Sequence, residues 1–398
     1  MGRALIIGGG VAGPVTAMAL AKAGFEPVVF EEHRTPPADL GTYLTVAVNG
    51  LSALAALDAH GPVCEAGFPT KSIVFFLGGG QRLAQVDVGQ ELADGTVTHT
   101  LKRSALHATL AAEAERRGIA FERGRKLVGV QETVDGVTAR FADGSAETGD
   151  FLVGCDGVHS TVRRLIDPSA PAARYTGLLN VGGFTPAGSV SLEPGTYHMI
   201  FGKRAFFGYT VSPDGEVWWF ANPGEPAELS ARDLQAITGD AWRRRLTRLF
   251  AADAGPAAEI IGRTTGPIAA SGSYEIATLP VWHTERMVVA GDAAHAASPA
   301  AGQGASMAME DAVVLATCLR DRPTPGEAFA EFERLRRGRV ERVTAQGARS
   351  SAFKAVGPLK RRLRDRKLPA ILRGHAEGGK HSLGWIHSHR VDWVETAG

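Results

Sequence analysis

Three glycines near the start of the chain, Gly8, Gly10 and Gly13, constrain its fold more than any other feature. They stand between an apolar run, Ala4 to Ile7, and a run rich in Ala, Leu and Met, Val11 to Ala23, which Gly24 closes. A second strand-like run, Pro27 to Glu31, follows and ends in acid. Strand, glycine turn, helix and strand make one β-α-β unit. Glycine makes up 49 of 398 residues. The GxGxxG spacing alone therefore arises by chance at roughly 0.002 per start, nearly once in such a chain, and the flanking elements do the discriminating. In that setting each glycine has a task. The first permits the tight turn, the second lets a pyrophosphate approach the backbone, and the third lets helix and strand pack closely. Amides at the helix start, Val11 and Ala12 among them, and the helix dipole then stabilise phosphates. Glu31 can accept hydrogen bonds from an adenosine ribose, and its charge repels a 2′-phosphate, so the ligand is not NADP itself. The competing readings are a glycine-rich turn without ligand and a signal peptide; Gly8 to Pro14 interrupts the apolar run in a way that argues against the latter.

Charge excludes little else. Lys plus Arg is 43 and Asp plus Glu 42, without the basic excess of a nucleic-acid protein. No run approaches the length of a membrane span. Cys64, Cys155 and Cys318 form neither a disulfide framework nor a zinc pattern, which points to a reducing compartment, the cytoplasm. The length suits two or three domains.

Along the chain, a helix is predicted from about Asn49 to Ala59, stopped by Gly61-Pro62. A hairpin over Lys71 to Val88 turns at Gly78 to Gly80, and a helix covers Ser104 to Arg117. Lys126 to Glu132, Val137 to Phe141 and Phe151 to Val153 read as a three-strand meander turning at Asp135-Gly136 and Asp143-Gly144. The stretch from about Tyr175 to Trp282 is strand-like and aromatic, with a helix over Ala231 to Ala251. From Ala305 the chain is mainly helical to about Arg373, broken at Pro323, Pro325 and Gly357-Pro358. The basic runs Arg243 to Arg245 and Lys360 to Lys367 read as solvated helix faces, and His381, His387 and His389 as surface histidines.

Two further strand ends carry aspartates. Phe151 to Val153 runs into Gly154-Cys155-Asp156-Gly157, with Arg163 following; Met287 to Ala290 runs into Gly291-Asp292. Ligands of parallel sheets gather at carboxyl ends of strands, where a carboxylate suits sugar or polyol hydroxyls. Singly, each aspartate reads as a helix N-cap. Beyond Asp292 come His295, Pro299 and Gly302-Gln303-Gly304-Ala305, opening a long helix with Glu310-Asp311. The two glycines leave room for a flat ring against a helix start whose dipole stabilises negative charge.

In order and spacing these three elements resemble the group A flavoprotein aromatic hydroxylases, the family of para-hydroxybenzoate hydroxylase and the tetracycline-inactivating monooxygenases. The resemblance covers about residues 1–350. It implies an α/β fold with an α+β insert: a Rossmann-like FAD-binding domain (1–70, 101–174 and 285–340), an inserted mixed or antiparallel sheet that binds substrate (71–100 and 175–284), and C-terminal helices and tail (341–398). It also implies the compact form without a thioredoxin-like C-terminal domain. By resemblance Glu31 holds the adenosine ribose of FAD, Arg103 lies near the phosphates and ribityl chain, and Asp292 binds the ribityl hydroxyls. Asp156 links FAD to nicotinamide binding. Thr45, within Gly41 to Val46, lies beside the isoalloxazine, Leu127 is a further cofactor contact, and Pro299 with Gly302 to Gly304 lines the ring. Where many relatives have Glu-Arg after the second strand, this chain has Glu31-Glu32-His33-Arg34.

NAD(P)H then visits transiently, because only one GxGxxG unit is present, and a flavin hydroperoxide delivers oxygen to a small aromatic substrate, with dioxygen consumed. Phe184, Tyr197, Met199, Phe201, Phe207, Tyr209, Trp218 and Phe220 are the candidate substrate wall, with the inward face of each strand undetermined. Arg204, Tyr209 and His295 are the candidates for a catalytic base or charge, His295 fitting a structural role better. No metal, nucleic acid or membrane is implied, and the chain is expected as monomer or homodimer. The alternatives are a flavin oxygenase performing epoxidation or Baeyer–Villiger insertion, an FAD-binding scaffold without turnover, and an NAD-binding dehydrogenase. Halogenation lacks its Trp-x-Trp-x-Ile-Pro element.

Overall fold

Five short strands, three of them almost wholly buried, build the first sheet. Its order is Met287–Val289, Phe151–Gly154, Arg3–Ile7, Glu26–Glu31 and Ala120–Arg123, all parallel. The computed structural model describes residues 2–35, 42–188, 190, 192–376 and 384–393. Parallel strands covered on both faces read as continuous apolar runs, as Ala4 to Ile7 and Phe151 to Val153 do. That burial corrects the predicted meander. Its third strand is Ala146–Gly149, pairing Val137–Phe141, while Phe151–Gly154 joins the parallel sheet. The meander then packs on one face of that sheet, with the Phe141 and Phe30 rings 4.8 Å apart. Helices Ala12–Lys22 and Gly304–Asp321 pack against each other in the same core.

The second sheet has seven strands, in the order Ala269–Glu275, Arg174–Thr185, Val217–Asn222, Phe206–Val211, Thr196–Phe201, Ser72–Leu77 and Arg82–Asp87. All neighbours are antiparallel except Thr196–Phe201 with Ser72–Leu77. Helices Ala231–Ala236, Gly239–Phe250 and Ala257–Gly262 belong to the core on one face. The helix predicted over Ala231 to Ala251 is thus two, because Thr238 caps the second through the Ala241 amide. Between the large sheets lies a small one, Tyr43–Val46, His99–Lys102 and Phe68–Pro69.

Gly61-Pro62 does not stop a helix: it sits in the first turn of the helix His60–Glu65, where proline fits. Pro325 does the same for Pro325–Ser351, which Thr324 caps. Of the basic run, Arg364 is buried and donates to the Phe201 and Gly202 carbonyls at 3.1 and 3.0 Å, so that face is an anchor on the second sheet. The tail also differs from the expected polar surface. Arg342 lies 3.7 Å from the Trp385 ring centre, Arg339 donates to the Ile386 carbonyl at 3.0 Å, and burial pushes His387 down to about 4. His381 lies outside the described residues, as does Gly41. No described helix is long and apolar enough to cross a membrane.

Candidate active site

The glycine turn is closed on its protein side and open on the other. Gly8 has φ +106° and donates to the Phe30 carbonyl at 2.8 Å, tying the turn to the second strand. A Cβ on Gly13 would stand 1.9 Å from the Gly8 carbonyl oxygen, so only glycine fits. A Cβ on Gly10 would find nothing nearer than His107 Cε1 at 3.6 Å. Helix Ala12–Lys22 starts without a side-chain cap, leaving its first amides for a ligand. Glu31 Oε2 accepts from the Gly9 amide at 2.8 Å and Oε1 from the His33 amide at 2.9 Å. Burial would raise the Glu31 carboxyl, but these bonds outweigh it and the pKa falls, so the group stays ionised. Leu127 is a core side chain, two residues beyond Arg125, whose amide donates to the Glu31 carbonyl at 2.9 Å.

Helix Arg103–Arg116 presents Arg103 and His107 one turn apart on one face. The Arg103 charge acts on both His107 and Asp292, which joins the glycine turn to the Gly291 loop. Burial, with the Arg103 charge, lowers His107 to about 4, and its Nε2 is buried without a partner. Sequence reasoning missed His107; its spacing of four from Arg103 was the available signal.

The two aspartates separate. Asp156 takes the capping alternative: its carboxylate accepts from the Ser160 hydroxyl at 2.5 Å and from the Thr161 and Val162 amides at 2.6 and 3.1 Å. Asp292 makes no such cap; its side chain is open to solvent, yet the dense protein around it raises its pKa. Arg163 fastens the two elements together, donating to the Ala293 and Val158 carbonyls at 2.9 Å each.

Behind the Gly291 loop lies a buried ionic network. Asp311 accepts from the Gly291 amide at 2.9 Å, His295 Nε2 at 2.5 Å and Arg336 Nε at 2.7 Å. Burial would raise its carboxyl, but the His295 and Arg336 charges hold it well below the usual range. Glu310 pairs with Arg336 and Arg339, each at 2.7 Å, and accepts from Asn49 at 2.7 Å. Gln303, Glu310, Asp311 and Arg336 are all buried. His295 is therefore a buried structural group, which removes it as a catalytic base. In front, Pro299 is exposed, Gly302 has φ +60° and a Cβ there would meet nothing within 4 Å. Thr45 is half-buried in the strand beside this loop, and two residues on the Ala47 amide donates to Ser306 Oγ at 3.0 Å. Gly304 and Ala305 open the helix with half-exposed backbone.

Alternation resolves the aromatic wall. Phe184, Tyr197, Met199, Phe201, Trp218 and Phe220 share one face of the seven-stranded sheet, the face that meets Thr42 and Tyr43. Phe207 and Tyr209 lie on the other face in the helix-covered core, and Tyr209 OH is bonded to His198 Nδ1 at 2.7 Å. Both are removed from the substrate wall, and Tyr209 from catalysis. Phe201 sits at the far end against Leu368 and Leu372. Arg204 is exposed in the hairpin turn after Phe201, away from the wall. Tyr43, a residue the aromatic set omitted, lies 5.6 Å from Trp218 and 6.0 Å from both Tyr197 and Phe220 between ring centres. Its hydroxyl is buried without a partner. Among the described residues no cluster of His, Cys, Asp and Glu could hold a metal ion.

The FAD binding domain family matches residues 2–345. The 3-amino-4-hydroxybenzoate 2-monooxygenase of Streptomyces platensis is 32% identical, with 93% of both chains covered. The FAD-dependent urate hydroxylase of Klebsiella pneumoniae is 30% identical over 85% of this chain and 86% of its own. Among solved structures, a Klebsiella pneumoniae HpxO variant complexed with FAD superposes with TM-score 0.83 at 25% identity, covering 95% of this chain and 96% of its own. The tetracycline destructase Tet(55) shares the fold, with TM-score 0.69 and 18% identity over 96% and 98% of the two chains. An open glycine turn, an uncapped helix start, an unpartnered His107 and an accessible Asp292 fit one extended cofactor, and with these matches the chain belongs to the FAD-binding-domain family, as a flavin-dependent monooxygenase.

Proposed function

We propose that this enzyme hydroxylates a small aromatic substrate, consuming NAD(P)H and dioxygen. The observation that carries this reading is the aromatic face of Phe184, Trp218, Phe220 and Tyr197, closed by Tyr43 with its unpartnered hydroxyl. The named relatives act on aminohydroxybenzoate and urate, both flat and polar-edged. FAD, when bound, supplies the activation of dioxygen.

The chain's own residues do the rest. Gly10 and the amides of Val11 and Ala12 receive the pyrophosphate. Arg103 balances its charge, and His107, neutral at pH 7, donates or accepts through Nε2. Glu31 holds the adenosine ribose and Asp292 the polyol. Pro299 and Gly302 to Ala305 support the ring, with the dipole of Gly304–Asp321 behind it. Gln303 is buried and bonded to Asn49 at 3.0 Å, so it fixes the loop's shape. The Tyr43 hydroxyl orients the substrate by a hydrogen bond, and the aromatic wall excludes water. Three free cysteines suit a reducing compartment such as the cytoplasm.

The test is substrate-stimulated NADH or NADPH oxidation with a panel of phenols, under isotopically labelled dioxygen. Aromatic hydroxylation predicts one labelled oxygen on an intact ring. A ring-expanded lactone or an epoxide reassigns the reaction, and stable FAD without reduction favours a scaffold.

A further inference from the structure

Among the described residues, the aromatic face of the seven-stranded sheet holds a buried lysine that faces no carboxylate. Lys354 follows the helix Pro325–Ser351 and is 7% exposed. Its Nζ donates to Asn222 Oδ1 at 2.7 Å and lies 4.6 Å from the Phe206 ring centre and 5.6 Å from that of Phe220. That bond uses one of three N–H groups. Asn222 is fixed in turn, donating to Asn180 Oδ1 at 2.8 Å on the next strand. Charged groups facing this corner are matched among themselves. Arg364 of Pro358–Ala376 pairs with Asp365 at 2.8 Å, Arg245 with Glu225 at 2.9 Å, and Arg174 with Glu275. Burial alone lowers the Lys354 amine to about 7, with no carboxylate raising it.

A buried ammonium without an anion is a poor structural element. Its place explains it better. Three residues earlier the Ser351 hydroxyl bonds that of Ser298, in the loop leading to Gly302. Lys354 thus stands where the ring-supporting loop, the aromatic face and the C-terminal helices meet.

We propose that Lys354 is the anion-recognising residue of the substrate pocket, pairing with a carboxylate of the aromatic substrate. The proposal rests on the aromatic site described above and narrows its substrate to acids. Because an anion holds the amine charged, affinity falls as pH rises through about 7.

The test titrates the holoenzyme with benzoate, 4-hydroxybenzoate and 4-hydroxybenzamide, following perturbation of the flavin absorbance. At pH 6 the acids bind at least about tenfold tighter than the amide, and the preference fades towards pH 9. Lys354→Met removes the preference at full flavin content and leaves amide binding in place. Loss for both acids puts the anion on the carboxylate and supports the proposal. The wild-type pH profile needs no variant to fold. Neutral phenols that bind and turn over as well as acids, or an unchanged preference in Lys354→Met, overturn Lys354 and leave the aromatic site standing. A flavin that responds to no aromatic ligand removes both.

Discussion

The parallel sheet and the seven-stranded sheet meet at one cleft but are built on opposite terms. On the parallel side the ligand-facing surface is backbone: open glycines, a free helix start and a loop braced from behind by Asp311, Arg336 and Glu310. The buried charges behind that loop are matched within the protein. On the seven-stranded side the surface is side chain, mostly aromatic, with the Tyr43 hydroxyl unpartnered and the Lys354 amine bonded to Asn222 but facing no carboxylate. The cofactor side offers backbone shape; the proposed substrate side offers side chains.

The sharpest break in that comparison is within the glycine turn. Gly13→Val drives a side chain into the Gly8 carbonyl and should abolish folded, yellow protein. Gly10→Ala meets only His107 Cε1, at an ordinary contact distance of 3.6 Å, and should fold with an unchanged apoprotein melting temperature, yet lose FAD affinity by more than about tenfold. Fluorescence titration of apoprotein with FAD reads both. Next, Asp311→Asn leaves Arg336 short of a charge in the core and costs about 3–5 kcal/mol, measured by denaturant unfolding. On the other sheet, Phe207→Ala costs about 3–5 kcal/mol of stability with KM unchanged, because its face is turned from the cleft. Phe220→Ala should do the reverse and raise KM. Tyr43→Phe is expected to raise KM by up to about tenfold through one lost hydrogen bond. Smallest, Arg204→Ala should change stability by less than about 0.5 kcal/mol and kcat not at all.

Lys354 adds a signed pH effect. Its folded pKa is depressed to about 7, so between about pH 7 and its ordinary value near 10.4 the unfolded state binds more protons. Stability without ligand therefore rises with pH across that window. Lys354→Met should be more stable than the parent below it, and the gap should close above pH 10. Thermal melts at a series of pH values check the sign.

Legibility followed the same division. The glycine turn, Glu31 and the Gly291 to Gly304 loop were readable because their spacing along the chain is local. The assignment of Phe151 to Val153 to the meander failed because an apolar run of that length does not say which sheet it enters. Alternation marked two faces of each aromatic strand, but only the helices over Phe207 and Tyr209 decide which is inward. Lys354 was invisible for a different reason. Its partner Asn222 is 132 residues away, and a lone lysine after a helix carries no periodic signal.

The most direct measurement is a crystal structure of the holoenzyme with an aromatic acid bound. The account predicts density for one FAD, with its pyrophosphate at Gly10 and the start of Ala12–Lys22 and its ring against Gly302 to Gly304. The acid should lie over Phe220 with its charged group at Lys354. A flavin ring placed away from the Gly302 loop, or an aromatic ligand on the Phe207 face of the sheet, would contradict it.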